Sequence, residues 1–177
     1  IVFVISPAKE ASLTQYLLDS DSPSLKDIRS RCKITFALQT QAKGLADAVL
    51  CAQPHITTDA FALLLPDEIM LPTKNSNQLP LLQLYEHYLK TMVSAVALCK
   101  IPKADTPSYG VARLGQESGG IWPILDLVEK PKLEDSPSQM ILPGRYLLSS
   151  EIFGILSSQK PDPTTVNDRT GELNFTQ

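Results

Sequence analysis

The chain has 177 residues, 43% hydrophobic and 20% charged, with a formal net charge of -3 at pH 7. That length supports one sizeable core in an ordinary globular composition, and no apolar run is long enough to span a bilayer. No cluster of Lys or Arg suits a nucleic-acid groove, so an anionic ligand has to be met by a few local donors.

Ile1–Ser6 reads as a buried strand because it is apolar and short. Pro7 suits a first helical position, and Ala8–Asp19 follows with Leu13, Tyr16 and Leu17 at helical spacing. Ser20–Ser24 is a loop, Leu25–Lys33 a short polar helix, and Ile34–Leu38 a second strand. Gln39–Lys43 is polar loop. Gly44–Ala52 is a helix dense in good formers, whose start offers unpaired N–H groups to a polar ligand.

Phe61–Leu65 reads as a central strand buried on both faces, ended by Pro66. Asp67 then lies just past its carboxyl end, the edge where open α/β sheets bind ligands. A carboxylate there can hold Mg²⁺ or cap the next turn. Leu71–Gln78 is polar and irregular. Pro80–Lys90 is an amphipathic helix with Leu81, Leu84, Tyr85, Tyr88 and Leu89 on one face, and Ser94–Lys100 is another strand. Strand, helix and strand in repetition predict a mostly parallel, doubly wound sheet.

From Ile101 the texture changes. Strands over Gly110–Leu114, Trp122–Glu129 and Met140–Leu148 are joined only by loops, which predicts a β-rich subregion beside the main sheet. Ser149-Ser150-Glu151 then starts a helix through Leu156, and Gln159–Gly171 is a Pro- and Asp-rich loop. Cys32, Cys51 and Cys99 are widely spaced and odd in number, which fits a reducing cytoplasm and not a zinc site. Cys51 reads as core packing, and the isolated His55 and His87 carry no catalytic pattern. The chain opens directly on a strand without Met and ends without a closing element, so the expectation is the middle of a longer protein.

Four segments in order carry a resemblance: Gln39-Thr40-Gln41-Ala42-Lys43-Gly44-Leu45-Ala46-Asp47-Ala48, Leu65-Pro66-Asp67, Tyr109-Gly110-Val111 and Val128-Glu129-Lys130-Pro131-Lys132. Pro143-Gly144-Arg145-Tyr146-Leu147-Leu148 and Gly171-Glu172-Leu173 extend it. Together they resemble bacterial UTP–glucose-1-phosphate uridylyltransferases, within the sugar-phosphate nucleotidyltransferases.

The resemblance implies a single, incomplete nucleotidyltransferase domain over residues 1–177. Its fold would be α/β, a Rossmann-like mostly parallel mixed sheet flanked by helices. Residues 1–100 would serve the nucleotide and the β-rich residues 101–177 the sugar. It implies synthesis of UDP-glucose and pyrophosphate from UTP and glucose 1-phosphate with Mg²⁺, in the cytoplasm, by a homo-oligomer with no nucleic-acid or membrane partner. Carried over by position, Gln39 and the Gly44 backbone would contact the uracil edge, and Asp67 would bind Mg²⁺. Gly110, Glu129 and Gly144 would meet the sugar, and Lys130 would hold its phosphate. The segment alone is expected to be inactive, because the family's Gly-rich phosphate loop belongs upstream of Ile1.

The family usually carries Gly-His where Ala46-Asp47 stands, and Asp where Gln177 stands. These departures motivate an alternative, a non-catalytic relative that binds sugar nucleotides or partners an active subunit. A sister enzyme using another nucleoside triphosphate is a further alternative. Adjacent side chains of a strand point to opposite faces, so Glu129 and Lys130 can reach one ligand only if the backbone bends there. Pro131 supplies a reason for a bend. Both residues are then expected at the mouth of a cleft, on the same side as Asp67.

Overall fold

The computed structural model describes residues 1–72 and 78–158. The expected loop over Gln159–Gly171, the Gly171-Glu172-Leu173 match and Gln177 lie outside them, as do residues 73–77 of the polar stretch. The described residues form two compact units, Ile1–Thr58 with residues 151–158, and Asp59–Ser150.

In the first unit, β1 (Val2–Ile5) and β2 (Thr35–Leu38) pair in parallel, from Val2 opposite Thr35 to Ile5 opposite Leu38. A parallel pair needs a long crossover, which the intervening helices supply. Helix α1 (Pro7–Thr14) starts on its proline and runs into a π-helical turn, Gln15–Asp19; α2 (Pro23–Arg31) also starts on proline. The widened turn ends under Arg29, whose guanidinium donates to the carbonyls of Leu17 at 2.9 Å and Ser20 at 2.7 Å. It thereby satisfies acceptors that a helix end leaves open. Helix α3 (Leu45–Ala52) buries Ala46, Val49 and Ala52, a stripe at helical spacing, and packs on β1 and on α5 (Ile152–Ser158), which buries Phe153 and Leu156.

Among the described residues the second unit holds two sheets. In one, β9 (Arg145–Ser149) lies between β3 (Ala60–Leu64) and β4 (Ala95–Val96), antiparallel to both. Helix α4 (Pro80–Thr91) packs on β9, with Tyr88 buried and Leu81 and Leu84 half-buried. Its Tyr85 and Leu89, expected on that face, are exposed, so the packed stripe is narrower than the apolar one. The other sheet has the order β5-β8-β6-β7, from β5 (Cys99–Lys100), β8 (Met140–Ile141), β6 (Gly110–Leu114) and β7 (Ile124–Glu129), all antiparallel. This is the β-rich subregion that the sequence predicts.

The mixed α/β class holds, but the pairing differs from the expected balance. Among the described residues β1–β2 is the one parallel ladder. The strand expected as central, Phe61–Leu65, pairs with β9 on one edge, and its Leu64 is 50% exposed. An apolar run reports that a strand is packed, not how many neighbours it has. Two expected strands are each split. Ser94–Lys100 divides into β4 and β5, which belong to different sheets. Met140–Leu148 divides into β8 and β9 at Pro143-Gly144, where Gly144 takes a positive φ of 68° that no strand continues through. A 3₁₀ segment over Lys103–Ser108 was not legible as apolar periodicity. It is fixed by Thr106, fully buried, whose hydroxyl donates to the Lys103 carbonyl at 2.8 Å. No helix of the described residues is long and apolar enough to cross a membrane.

Candidate functional site

The sequence-predicted site residues fall in both units. Gln39 and Gly44 belong to the first; Asp67, Gly110, Glu129, Lys130 and Gly144 belong to the second.

Gln39 follows the last residue of β2 and continues the register, its N–H donating to the Ile5 carbonyl at 2.9 Å. Gly44 is the N-cap of α3 with φ 90° and ψ -176°, a conformation open essentially to glycine alone. The two residues meet. Gln39 Nε2 donates to the Gly44 carbonyl at 3.1 Å and to Asp47 Oδ2 at 2.8 Å. Asp47 stands in the first turn of α3, where the helix dipole favours a negative charge. One turn on, burial and then the Asp47 charge push the Cys51 thiol up from its ordinary range, against a smaller lowering by Lys43.

In the second unit, Gly110 and Glu129 are cross-strand partners at the ends of β6 and β7. A Cβ on Gly110 would stand 3.0 Å from Glu129 Oε2, so the carboxylate lies directly over the glycine. Lys130 bends away with a positive φ of 46°, and its N–H donates to the Tyr109 carbonyl at 3.0 Å. The bend expected from Pro131 is present, in an unexpected form. A residue before proline is normally extended, and a left-handed lysine there is strained. Glu129 is half-buried and Lys130 exposed, and Lys130 makes no ion pair among the described residues.

Asp67 is exposed in the turn after β3. That turn is held by Arg145, the first residue of β9, whose guanidinium donates to the carbonyls of Leu65 at 2.7 Å, Gly144 at 3.0 Å and Glu68. Gly144 is buried against the same turn. A Cβ there would come within 2.7 Å of Leu65 Cβ, and the Gly144 carbonyl accepts the Leu65 N–H at 2.9 Å. Beside Arg145, the buried Tyr146 phenol is pushed up to about 12 by burial first and by the Glu129 charge second.

Among the described residues no three His, Cys, Asp or Glu gather into a metal cage. A single exposed carboxylate still fits Mg²⁺, which keeps several waters and is commonly completed by substrate phosphates. A depression of about 380 Å³ lined by Lys103, Ala104, Leu133 and Glu134 includes none of the predicted site residues.

Sequence reasoning did not assign roles to Asp47, Arg145 or Tyr146. Arg145 had a signal, since it is the only charge in the apolar run Tyr146-Leu147-Leu148 that it opens. Asp47 was visible only as a departure from the family's usual residue.

Comparison with known proteins shows which family the chain resembles. The chain is 39% identical over 157 residues to a UTP–glucose-1-phosphate uridylyltransferase of Streptococcus pyogenes, a match covering 86% of this chain and 52% of that protein. The chain therefore spans about half the length of the relatives it matches. Its fold is similar to that of a UDP-glucose pyrophosphorylase solved without ligand, at TM-score 0.84 and 30% identity, over 99% of this chain and 66% of the other. A UDP-glucose pyrophosphorylase complexed with UDP-glucose matches at TM-score 0.84 and 31% identity, with the same coverage. The sequence matches the nucleotidyl transferase model over residues 1–176, and the chain belongs to that family.

Proposed function

We propose that the whole protein transfers a uridylyl group from UTP to glucose 1-phosphate in the cytoplasm, forming UDP-glucose and pyrophosphate. The similarity to uridylyltransferases and to a UDP-glucose complex supports the reaction class. The observation within this chain that carries the reading is the Gly110–Glu129–Lys130 corner. It offers a carboxylate over a bare backbone, followed in sequence by an exposed lysine whose backbone turns left-handed.

Each part has a chemical task in this reading. The Glu129 carboxylate, an acceptor only, takes hydrogen bonds from sugar hydroxyls, and Gly110 leaves room for the ring to approach. Lys130 neutralises the sugar phosphate as a point charge. Gln39 and the Gly44 backbone meet the uracil edge. An oxygen of the sugar phosphate attacks the α-phosphorus of UTP. The new P–O bond forms as the bond to the β-phosphate bridging oxygen breaks, and that electron pair leaves with pyrophosphate. Catalysis of this kind rests on alignment and charge neutralisation. Asp67 would hold Mg²⁺, which when bound would supply part of that neutralisation, and Arg145 and Gly144 keep the Asp67 turn in place. Residues 1–100 serve the nucleotide and residues 101–177 the sugar, and the working form is a homo-oligomer.

The test is pyrophosphate release by the full-length protein across nucleoside triphosphates and sugar phosphates. UTP with glucose 1-phosphate is expected to be the best pair, and Asp67→Asn to lower Mg²⁺-dependent turnover by roughly a hundredfold or more. Near-normal turnover in Asp67→Asn removes the metal role. Binding of UDP-glucose with no release from any pair would identify a non-catalytic relative instead.

A further inference from the structure

Gln39 and Asp47 form a contact whose polarity is forced. Nε2 of Gln39 faces the Gly44 carbonyl at 3.1 Å and Asp47 Oδ2 at 2.8 Å. A carbonyl and a carboxylate only accept hydrogen bonds, so the nitrogen end of the amide has to face them. A primary amide nitrogen carries two hydrogens, and the two acceptors take both. Oε1, which only accepts, is the polar atom left to a ligand. The Gly44 carbonyl is itself held by the first turn of α3, where it also accepts the Ala48 N–H at 3.2 Å.

We infer that Asp47 is a positioning residue that sets the choice of nucleobase, by fixing Gln39 with its carbonyl oxygen toward the base. The inference rests on the reading that Gln39 meets the base edge. Uracil and thymine carry an N–H at ring position 3, whereas cytosine has a lone pair there. A fixed amide oxygen opposite that position accepts from uracil and repels cytosine. A buried or half-buried acceptor left facing another acceptor is costly, so the choice is made by the wrong base as much as by the right one. With Asp47 removed, one amide hydrogen loses its partner. It becomes available to a cytosine ring nitrogen, and the amide can turn.

The experiment compares UTP with CTP in the full-length protein, by equilibrium binding and by kcat/KM in pyrophosphate release. The variants are Asp47→Leu, Asp47→Asn and Gln39→Ala. Asp47→Leu is expected to lower the UTP-to-CTP preference about tenfold, the worth of one oriented hydrogen bond. Asp47→Asn keeps an acceptor oxygen for Gln39 and is expected to retain the preference within about threefold. A loss of folded protein lowers both nucleotides alike, so the ratio separates positioning from stability. An unchanged ratio in Asp47→Leu, with a lowered one in Gln39→Ala, overturns the positioning role alone. An equal fall in Asp47→Asn and Asp47→Leu makes the effect one of charge and also overturns it. An unchanged ratio in Gln39→Ala removes the base contact itself, and the inference with it.

Discussion

Glu129 lies over Gly110 across the β6–β7 ladder, its Oε2 only 3.0 Å from where a side-chain carbon on Gly110 would stand. The glycine is needed for space and not for backbone freedom, because its φ is not among the positive ones. Gly110→Ala should therefore fold normally while displacing the end of the Glu129 side chain by a few tenths of an ångström. The expected result in the full-length protein is a KM for glucose 1-phosphate raised about tenfold, with the KM for UTP within twofold, in line with a misplaced hydrogen-bond acceptor. Steady-state kinetics with each substrate varied, beside a thermal melt, checks it.

Lys130 combines strain with charge, and two substitutions separate them. Lys130→Gly removes the ammonium but relieves a left-handed conformation at φ 46°. Lys130→Ala removes the ammonium and keeps the strain. Both should weaken glucose 1-phosphate use far more than UTP use. Lys130→Gly should be more stable than Lys130→Ala by about 1 kcal/mol in denaturant unfolding. Equal loss for the two substrates would remove Lys130 from the sugar phosphate.

Gly144 is the opposite case to Gly110. Its φ of 68° disfavours any side chain, and a Cβ would sit 2.7 Å from Leu65 Cβ with nowhere cheap to move. Strain and overpacking together predict a loss of roughly 3 kcal/mol for Gly144→Ala. The measurement is the denaturant midpoint. A loss below about 1 kcal/mol would show that β3 can shift away from the turn.

The buried Tyr146 makes stability depend on alkaline pH. Its folded-state pKa is raised to about 12, above the ordinary value of 10 for an unfolded tyrosine, by burial and then by Glu129. The unfolded chain therefore gives up this proton first. The contribution is fully present below pH 10 and is lost as pH rises toward 12, by about 3 kcal/mol for two units. Tyr146→Phe should flatten the stability profile across that window. A slope that persists in the variant would assign it to another group.

The sequence made some of this legible because the signals are local. Short apolar runs and helix-period stripes located β1, β2, α3 and α4, and Pro7 and Pro80 marked helix starts that the structure keeps. The Gly110–Glu129 pair was reachable as two motif residues, though their face-to-face register was not. Strand direction and neighbour choice are set by partners far along the chain, so the antiparallel seat of β3 beside β9 left no mark in the apolar run itself. Pro131 announced a bend but not its hand. The Gln39–Asp47 contact escaped because a loop glutamine and a helix aspartate carry no shared period.

Arg145 grips carbonyls that precede it by 80 and 77 residues, at Leu65 and Glu68. On a ribosome adding about 5–20 residues each second, that interval is on the order of ten seconds. Throughout it the turn bearing Asp67 has been synthesised, while the guanidinium that holds its backbone does not yet exist. Its shape is thus an outcome of completing the β3–β9 ladder rather than a property of the nascent segment. Synonymous changes that slow translation between these two points would prolong an unclasped state without altering a single side chain.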